Sequence, residues 1–338
     1  MRKKVEKYGR YGRLRPSSIP TFDPTSKNAM GGTELMKSWL VEEISKRDPK
    51  LLDEFQLILT RVENLESDKK RILWIHDRAV DPAVNHLQYK ESLEQFERIV
   101  FVSHWQQYQF NDSFLGIPYD RGIVLQNAIT PIPKHKKPND GKIKVCYFST
   151  PHRGLEVLLD AWYFMRNDLQ SGLNAELDIY SSFQIYDRPQ RDEEFKHVYK
   201  RAKEMGGVNY HGTVSNDKIR KMLESHHIMA YPSTFAETSC ICLLEAMSAG
   251  CLSVISNLGA LPETAANFAR MYNYEQDSKN HAQVHGKMLA RAIEQFWNDD
   301  VQDLLKIQQN YFNMFYNWEL RGTQWLELFH TIKGRQYE

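Results

Sequence analysis

Short apolar runs alternate with amphipathic stretches along most of this chain. The first part contains four strand candidates, at residues 55–60, 72–76, 99–103 and 123–127. Helical spacing of apolar residues predicts a helix after residue 31, and further helices at 84–96 and 104–114 between the later strands. This succession of strand, helix and strand predicts right-handed parallel crossovers in an α/β layer.

A second alternating set follows residues 128–142, a stretch with three prolines and clustered lysines that predicts a linker. Strands are predicted at 144–149, 175–182, 208–212, 228–233 and 252–256, and helices at 154–166, 192–205, 215–224, 238–249 and 282–298. We therefore expect an N-terminal Rossmann-like domain (1–135), a second α/β domain (140–313) and a C-terminal helix (314–338) that packs back on the first domain. Two such domains facing a central cleft would bind ligands beyond the carboxyl ends of their strands.

Composition narrows the class of protein. The chain has 338 residues, more than one hydrophobic core usually spans, and 44 Lys and Arg against 43 Asp and Glu exclude a protein built to coat nucleic acid. No apolar run approaches the roughly 18 residues of a membrane helix, and no apolar segment follows the basic start, which argues against a secretory signal. We expect a cytoplasmic location, with peripheral membrane attachment left open. Four cysteines in apolar surroundings predict buried reduced thiols, without zinc-ligand spacing.

Two glutamates mark the apolar stretch FAETSCICLLEAMSAG at 235–250. Glu237 comes after a predicted strand, and Glu245 lies inside a predicted helix, where a carboxylate is rarely buried without a partner. The backbone N–H groups of Thr238, Ser239 and Cys240 are expected at the start of that helix, a position suited to anions. On spacing alone, a structural role is favoured, with Glu237 beside the helix dipole and Glu245 in a structural ion pair.

The pattern F-x-E-x7-E-A-M-x-A-G, followed by a strand and G-A-L-P-E at 259–263, resembles the donor-binding signature of retaining nucleotide-sugar glycosyltransferases of family 4, which have the GT-B fold. Further stretches resemble family landmarks in the family's order: GGTE (31–34), WIHD (74–77), FVSHW (101–105), LQNAI (125–129), PHRGLEVLLDAW (151–162), NYHGTV (209–214) and YNWE (316–319). The resemblance covers residues 31 to about 320, and the two glutamates are its most specific part.

The resemblance implies a role for each matching residue. Glu245 would hold the ribose hydroxyls of the donor, Glu237 the hydroxyls of the transferred sugar, and the N–H groups at 238–240 the sugar or phosphates. Arg153 would place a cation on the diphosphate, and Gly31 and Gly32 would approach the diphosphate from the other domain, where glycine permits close backbone contact.

Two more positions follow from the same resemblance. His76 would donate to the sugar or the leaving group from the acceptor side, and Gly212 would lie in the turn flanking the base. A core histidine, a plain glycine loop and a solvated Arg153 are the simpler alternatives. The resemblance implies no obligatory cofactor or metal, and a nucleoside diphosphate sugar as donor substrate.

The sequence departs from the family in two places. Phe148, Ser149 and Thr150 stand where the family usually has a Gly-Arg dipeptide, which puts a second phosphate-binding cation in question. The first domain is also short, and no clean apolar strand precedes GGTE. Residues 17–22 are a poor substitute for one.

These features predict a retaining glycosyltransferase that moves a sugar from a nucleoside diphosphate donor to a hydroxyl acceptor: a glycan, a lipid or a small molecule. Two alternatives stay open. The acceptor could be a modified base in nucleic acid, because residues 1–15 hold seven Lys or Arg against one Glu and could track phosphates or another anionic surface. The chain could also be a GT-B scaffold that binds a nucleotide without catalysis.

Overall fold

The computed structural model describes residues 19–22, 31–113, 116–118 and 120–334. The described residues fall into two compact units. The first contains 19–22, most of Gly32–Asn127 and 318–334, and the second contains Gly31 and Ala128–Asn317. The boundary lies before the residue 135 of the sequence prediction because residues 128–132 already bond within the second unit. Ile129 N–H donates to Tyr316 O at 2.7 Å, and Ile132 N–H donates to Ser248 Oγ at 2.9 Å.

The first unit is built on a parallel four-stranded sheet in the order β1-β2-β3-β4. Its strands are β1 (Phe55–Leu59), β2 (Lys70–Ile75), β3 (Arg98–Phe101) and β4 (Gly122–Val124), and its first helices are α1 (Gly32–Arg47), α2 (Lys90–Leu93) and α3 (His104–Ser113). The interior strands are buried on both faces over Ile72–Ile75 and Arg98–Phe101, as expected when helices cover a parallel sheet.

The single helix predicted at 84–96 is wrong. The chain forms a 3-10 helix, Pro82–Gln88, and then the short α2. Asp81 caps the first piece by accepting from Ala83 N–H at 2.8 Å, and Tyr89 interrupts the run with an extended backbone at φ −107° and ψ 131°. Further upstream, Thr21 forms an isolated parallel bridge with Val62, which lies beyond the end of β1 and outside the sheet.

The second unit has a parallel six-stranded sheet in the order β10-β9-β8-β5-β6-β7. Its strands are β5 (Ile143–Tyr147), β6 (Ala175–Ile179), β7 (Val208–Tyr210), β8 (Ile228–Tyr231), β9 (Leu252–Ser256) and β10 (Arg270–Tyr272). From β5 the chain adds strands in one direction to β7, and from β8 it adds strands in the other. The strand order therefore reverses between β5 and β8, and ligands of open α/β sheets bind beyond the carboxyl ends of the strands at such a point.

Helices α4 (Leu155–Tyr163), α5 (Lys196–Glu204), α6 (Asn216–Leu223), α7 (Ile241–Ser248), α8 (Leu261–Ala265), α9 (Ser278–Gln295) and α10 (Asp299–Phe315) complete this unit. Helix α7 begins later than the predicted residue 238. Glu237 is held in an isolated parallel bridge with Gly259, and Ala260 N–H donates to Glu237 O at 2.8 Å, so the chain enters the helix only after Cys240. The edge strand β10 was not predicted, since its three residues carry little apolar periodicity.

The last helix, α11 (Trp318–Gly334), belongs to the first unit. Its aromatic side chains pack within that unit: the Trp325 ring centroid lies 4.9 Å from that of Trp74, and the Phe329 centroid 4.7 Å from that of Phe55. The described part of the chain contains no helix long and apolar enough to span a membrane.

Candidate active site

Arg153 and Glu237 meet at the point where the strand order of the second unit reverses. Arg153 follows β5, Glu237 follows β8, and Arg153 Nη1 donates to both carboxylate oxygens of Glu237 at 2.7 and 2.8 Å. The hydroxyl of Tyr231, the last residue of β8, donates to Glu237 Oε1 at 2.6 Å. The Glu237 residue is only 3% exposed, so this carboxylate is buried and charge-paired.

Two glycines let separate loops reach Glu237. Gly154 has φ +106°, and a Cβ there would lie 2.1 Å from Pro232 O, so the turn that carries Arg153 is pressed against the end of β8. Gly259 has φ +66°, and a Cβ there would lie 2.7 Å from Glu237 N. Because glycine adopts positive φ without steric cost, both close approaches depend on the absence of a side chain.

The guanidinium of Arg153 keeps hydrogen-bonding capacity beyond this pair. Burial opposes its charge, but the Glu237 carboxylate outweighs burial and raises the pKa of Arg153 well above its usual value. Arg153 Nε is buried without a hydrogen-bond partner among the described residues, and Cζ lies 4.8 Å from the Phe235 ring centroid. A guanidinium has five N–H donors, so donors remain for an anionic ligand.

Glu245 lies on α7 in a different environment. It is 2% exposed and accepts one hydrogen bond at 2.9 Å, from the neutral Asn216 Nδ2 at the start of α6. Burial raises the pKa of Glu245 to about 7, although Asn216 and the charge of Arg220 act in the opposite direction. Glu245 forms no ion pair with another described residue, which disfavours the structural ion pair that spacing alone favoured.

The three residues predicted at the helix start precede α7. Thr238 and Cys240 are buried, Ser239 is half-buried, and Cys240 is the N-cap with an extended backbone. All four cysteines are free thiols, and three are buried as predicted, whereas Cys242 is half-buried. Burial raises the pKa of Cys240 well above its usual value.

A polar cluster around Asp178, near the end of β6, was not predicted. The Nε2 atoms of His211 and His226 lie 2.6 and 2.9 Å from the two carboxylate oxygens of Asp178. Burial opposes ionisation, but hydrogen bonds from both histidines lower the pKa of Asp178 to about 2. The Tyr180 ring stacks on His211 at 4.5 Å and 12°, directly before Gly212, which has φ +69°. In the sequence, this cluster was indicated only by the polar Asp178 inside the otherwise apolar strand AELDI.

The remaining predicted residues lie at the start of α1 and after β2. Gly31 is buried ahead of α1, and Gly32 is the first residue of that helix. His76 donates its backbone N–H to Thr60 Oγ1 at 2.8 Å, and its ring centroid lies 4.6 Å from that of Trp74. Burial lowers the pKa of His76 to about 3, so the imidazole is neutral near pH 7. Gly32 and His76 belong to the first unit, whereas Arg153, Glu237 and Glu245 belong to the second.

The described residues contain no group of three or more His, Cys, Asp or Glu side chains placed to hold a metal ion. Where the family has its Gly-Arg dipeptide, Phe148 and Thr150 are buried and Ser149 is half-buried. Thr150 Oγ1 has no hydrogen-bond partner among the described residues.

Residues 143–299, which include Arg153, Glu237 and Glu245, match the model of the family described as Glycosyl transferases group 1. The chain contains a glycosyltransferase domain. A search among curated protein sequences found no significant match.

Solved structures confirm the GT-B fold. A glycosyltransferase from Rickettsia africae ESF-5 superposes with a TM-score of 0.66 at 13% identity, over 93% of this chain and 85% of that one. Anabaena Alr3699/HepE, in complex with UDP and glucose, gives 0.63 at 12% identity, over 91% and 98%. The α,α-trehalose 6-phosphate synthase of Burkholderia multivorans gives 0.59 at 11% identity, over 89% and 78%. At such identities the likeness establishes the fold of this glycosyltransferase and nothing finer.

Proposed function

We propose that this glycosyltransferase is a retaining enzyme that transfers a sugar from a nucleoside diphosphate sugar to a hydroxyl acceptor. The observation that carries the proposal is the meeting of Arg153 and Glu237 where the strand order reverses, inside the matched residues 143–299. HepE has been solved with UDP-glucose and with UDP and glucose, which makes uridine nucleotides the first donors to test.

Each carboxylate suits a different part of the donor. Glu237 already accepts from Arg153 and Tyr231, and a carboxylate has about four lone-pair sites, so it retains capacity for a sugar hydroxyl. Glu245 accepts from Asn216 alone, and two ribose hydroxyls would complete its hydrogen bonding. Ribose hydroxyls favour the ionised form of Glu245, because a carboxylate is the stronger acceptor.

Transfer requires stabilisation of the departing diphosphate. We assign that task to Arg153, whose Nε is buried and lacks a partner among the described residues, and to the backbone at 238–240. Removing one such donor typically costs about 10²–10³ in rate. Gly31 and Gly32 are proposed to approach the same diphosphate, Gly212 to flank the base, and His76 to donate from the acceptor side as a neutral imidazole. No side chain is assigned as a nucleophile, which fits front-face attack with retention, and no metal ion is required.

The test is transfer and donor hydrolysis across a panel of nucleotide sugars, beginning with UDP-glucose and UDP-N-acetylglucosamine. We expect Glu237→Ala and Glu245→Ala to lose at least ten-fold in rate on the active donor, whereas the exposed Glu204→Ala keeps the wild-type rate. NMR of the product anomeric proton tests retention. Undiminished turnover in both site variants, or an inverted product, would overturn the assignment.

The two alternatives, a nucleic-acid acceptor and a non-catalytic scaffold, have different support. Residues 1–15, on which the nucleic-acid acceptor depends, lie outside the described residues, and that acceptor stays a prediction. The family match argues against a non-catalytic scaffold. Membership of family 4 and a cytoplasmic location also remain predictions.

A further inference from the structure

A second arginine lies near Arg153, on the segment that follows β6. Arg191 is part of the 3-10 helix Pro189–Phe195, and its Cζ lies 4.1 Å from the ring centroid of the fully buried Phe183. The His152 ring is nearly parallel to Phe183, at 5.3 Å and 16°, and lies 5.8 Å from Phe235, the ring beneath Arg153. A continuous row of rings therefore connects the two guanidinium groups.

Arg153 and Arg191 both lie close enough to His152 for their charges to act on its imidazole. Burial lowers the pKa of His152 to about 4, and the charges of Arg153 and Arg191 add to that effect. His152 is therefore neutral near pH 7, with its buried Nδ1 lacking a hydrogen-bond partner among the described residues. The cations in this row are the two arginines.

The backbone around Arg191 is fixed by its neighbour Asp192. One carboxylate oxygen of Asp192 accepts from Ser182 Oγ at 2.6 Å, and the other accepts from Phe183 N–H at 2.9 Å and Tyr199 Oη at 2.6 Å. Arg191 itself forms no ion pair with another residue that the structure describes. Its backbone position is thus fixed, while no acidic side chain among the described residues pairs with its guanidinium, unlike that of Arg153.

The charges at the proposed donor site require a cation in addition to Arg153. Glu237 neutralises Arg153, and the phosphates of a nucleoside diphosphate sugar bring two negative charges. Ser149 and Thr150, which precede the turn that carries Arg153, cannot supply a positive charge. We propose that Arg191 supplies the second cation that binds the donor diphosphate, an inference that rests on the proposed function. Guanidinium groups suit this task because they bind phosphate oxygens through paired N–H donors.

The experiment compares Arg191→Gln and Arg191→Lys with Arg188→Gln, which removes an exposed charge from the same segment. UDP affinity is measured by calorimetry and uridine affinity by NMR titration, because uridine lacks the phosphates. We expect Arg191→Gln to weaken UDP about 10–100-fold, the range of a lost charge-assisted hydrogen bond, and uridine less than threefold. Arg191→Lys should recover most of the UDP affinity, and Arg188→Gln should stay within twofold of wild type.

Two results would overturn the inference alone: UDP affinity within twofold of wild type in Arg191→Gln, or an equal loss for UDP and uridine, which would mean that the segment has shifted. Glu245→Ala separates this outcome from failure of the proposed function. If Glu245→Ala weakens UDP while Arg191→Gln does not, only the role of Arg191 falls. If the wild-type chain binds none of UDP, GDP and ADP, both proposals fall.

Discussion

Glu237 and Glu245 are both buried, and they lie in one stretch of sequence, yet the structure treats them in opposite ways. Glu237 contacts a guanidinium and a phenol hydroxyl. Glu245 contacts a single amide, and burial raises its pKa to about 7. The charge of Glu237 is compensated by groups of the protein itself. Glu245 has only one protein donor, so most of its hydrogen-bonding capacity is left for a ligand. An unmet carboxylate in a buried helix is therefore the better indicator of a ligand.

The two glutamates are expected to serve the proposed site in different ways. The Arg153–Glu237 pair is set before the donor arrives, which lowers the cost of organising the site around the sugar and diphosphate. Glu245 gains its missing hydrogen bonds only when a ligand supplies them. Stability should accordingly depend more on the first residue, and the pH dependence of binding more on the second.

The largest expected effect comes from Arg153→Ala, which leaves Glu237 buried beside Tyr231 without its cation. Removing one partner of a buried ion pair costs about 3–5 kcal/mol, so the melting midpoint of the second unit should fall by roughly 2–4 °C per kcal/mol. Arg201→Ala is the matched control, since the Arg201–Asp160 pair, at 2.6 Å, has side chains 38% and 41% exposed. If the melting midpoint of Arg153→Ala equals that of the control, the Arg153–Glu237 pair does not stabilise the second unit more than an exposed pair does.

Next in size is the pH dependence attributable to Glu245. Its folded pKa of about 7 lies above the ordinary 4.5, so the folded chain binds more protons than the unfolded chain between these pH values. Stability therefore falls as pH rises from 4.5 to 7, by about 3 kcal/mol for this group, and is level above that.

Glu245→Gln should remove that component, while Glu204→Gln should keep it. Urea midpoints at intervals from pH 4.5 to 8 measure the difference between the variants. Identical pH profiles for wild type and Glu245→Gln would contradict the assignment of a raised pKa to this residue.

A smaller loss of stability is expected from Gly259→Ala, which disturbs the backbone of Glu237 and leaves Arg153 unchanged. The new Cβ would lie 2.7 Å from the backbone N and O of Glu237, at a positive φ. We expect a loss of about 2–3 kcal/mol together with weaker sugar transfer. Gly141→Ala, with φ +86° and open space around its Cβ, should show only the conformational cost of about 1 kcal/mol. Equal losses in the two variants would mean that contact with Glu237 is irrelevant.

The smallest expected effect is that of Asn216→Ala, which removes the amide donor to Glu245. The free energy of unfolding should fall by about 1 kcal/mol. The pKa of Glu245 should rise further, because the hydrogen bond from Asn216, which stabilises the ionised form, is gone. NMR titration of the Glu245 carboxyl carbon measures the shift. Asn167→Ala, which removes an exposed side chain bonded to Tyr163 O, should leave that titration unchanged. A lower pKa in Asn216→Ala would contradict the prediction.

The sequence predicted the fold well wherever periodicity was strong. Buried strands such as Leu252–Ser256 were visible as runs of apolar residues, and the helix Trp318–Gly334 was visible through its recurring aromatic residues. The short edge strand Arg270–Tyr272 was not, because half-buried residues at a sheet edge leave little pattern. The break at Tyr89 was also missed, since the cap at Asp81 and the extended Tyr89 interrupt a stretch that is helical in composition.

For the proposed site, the sequence by itself determined the candidate residues: two glutamates at fixed spacing, and an arginine before a glycine. Only the tertiary structure decided how they are arranged. Sequence distance does not reveal that the ends of β5 and β8 are neighbours, so the Arg153–Glu237 pair required the strand order. Burial, which sets the pKa of Glu245, and the ring contacts that bring Arg191 toward Arg153 likewise depend on which atoms surround a group in space.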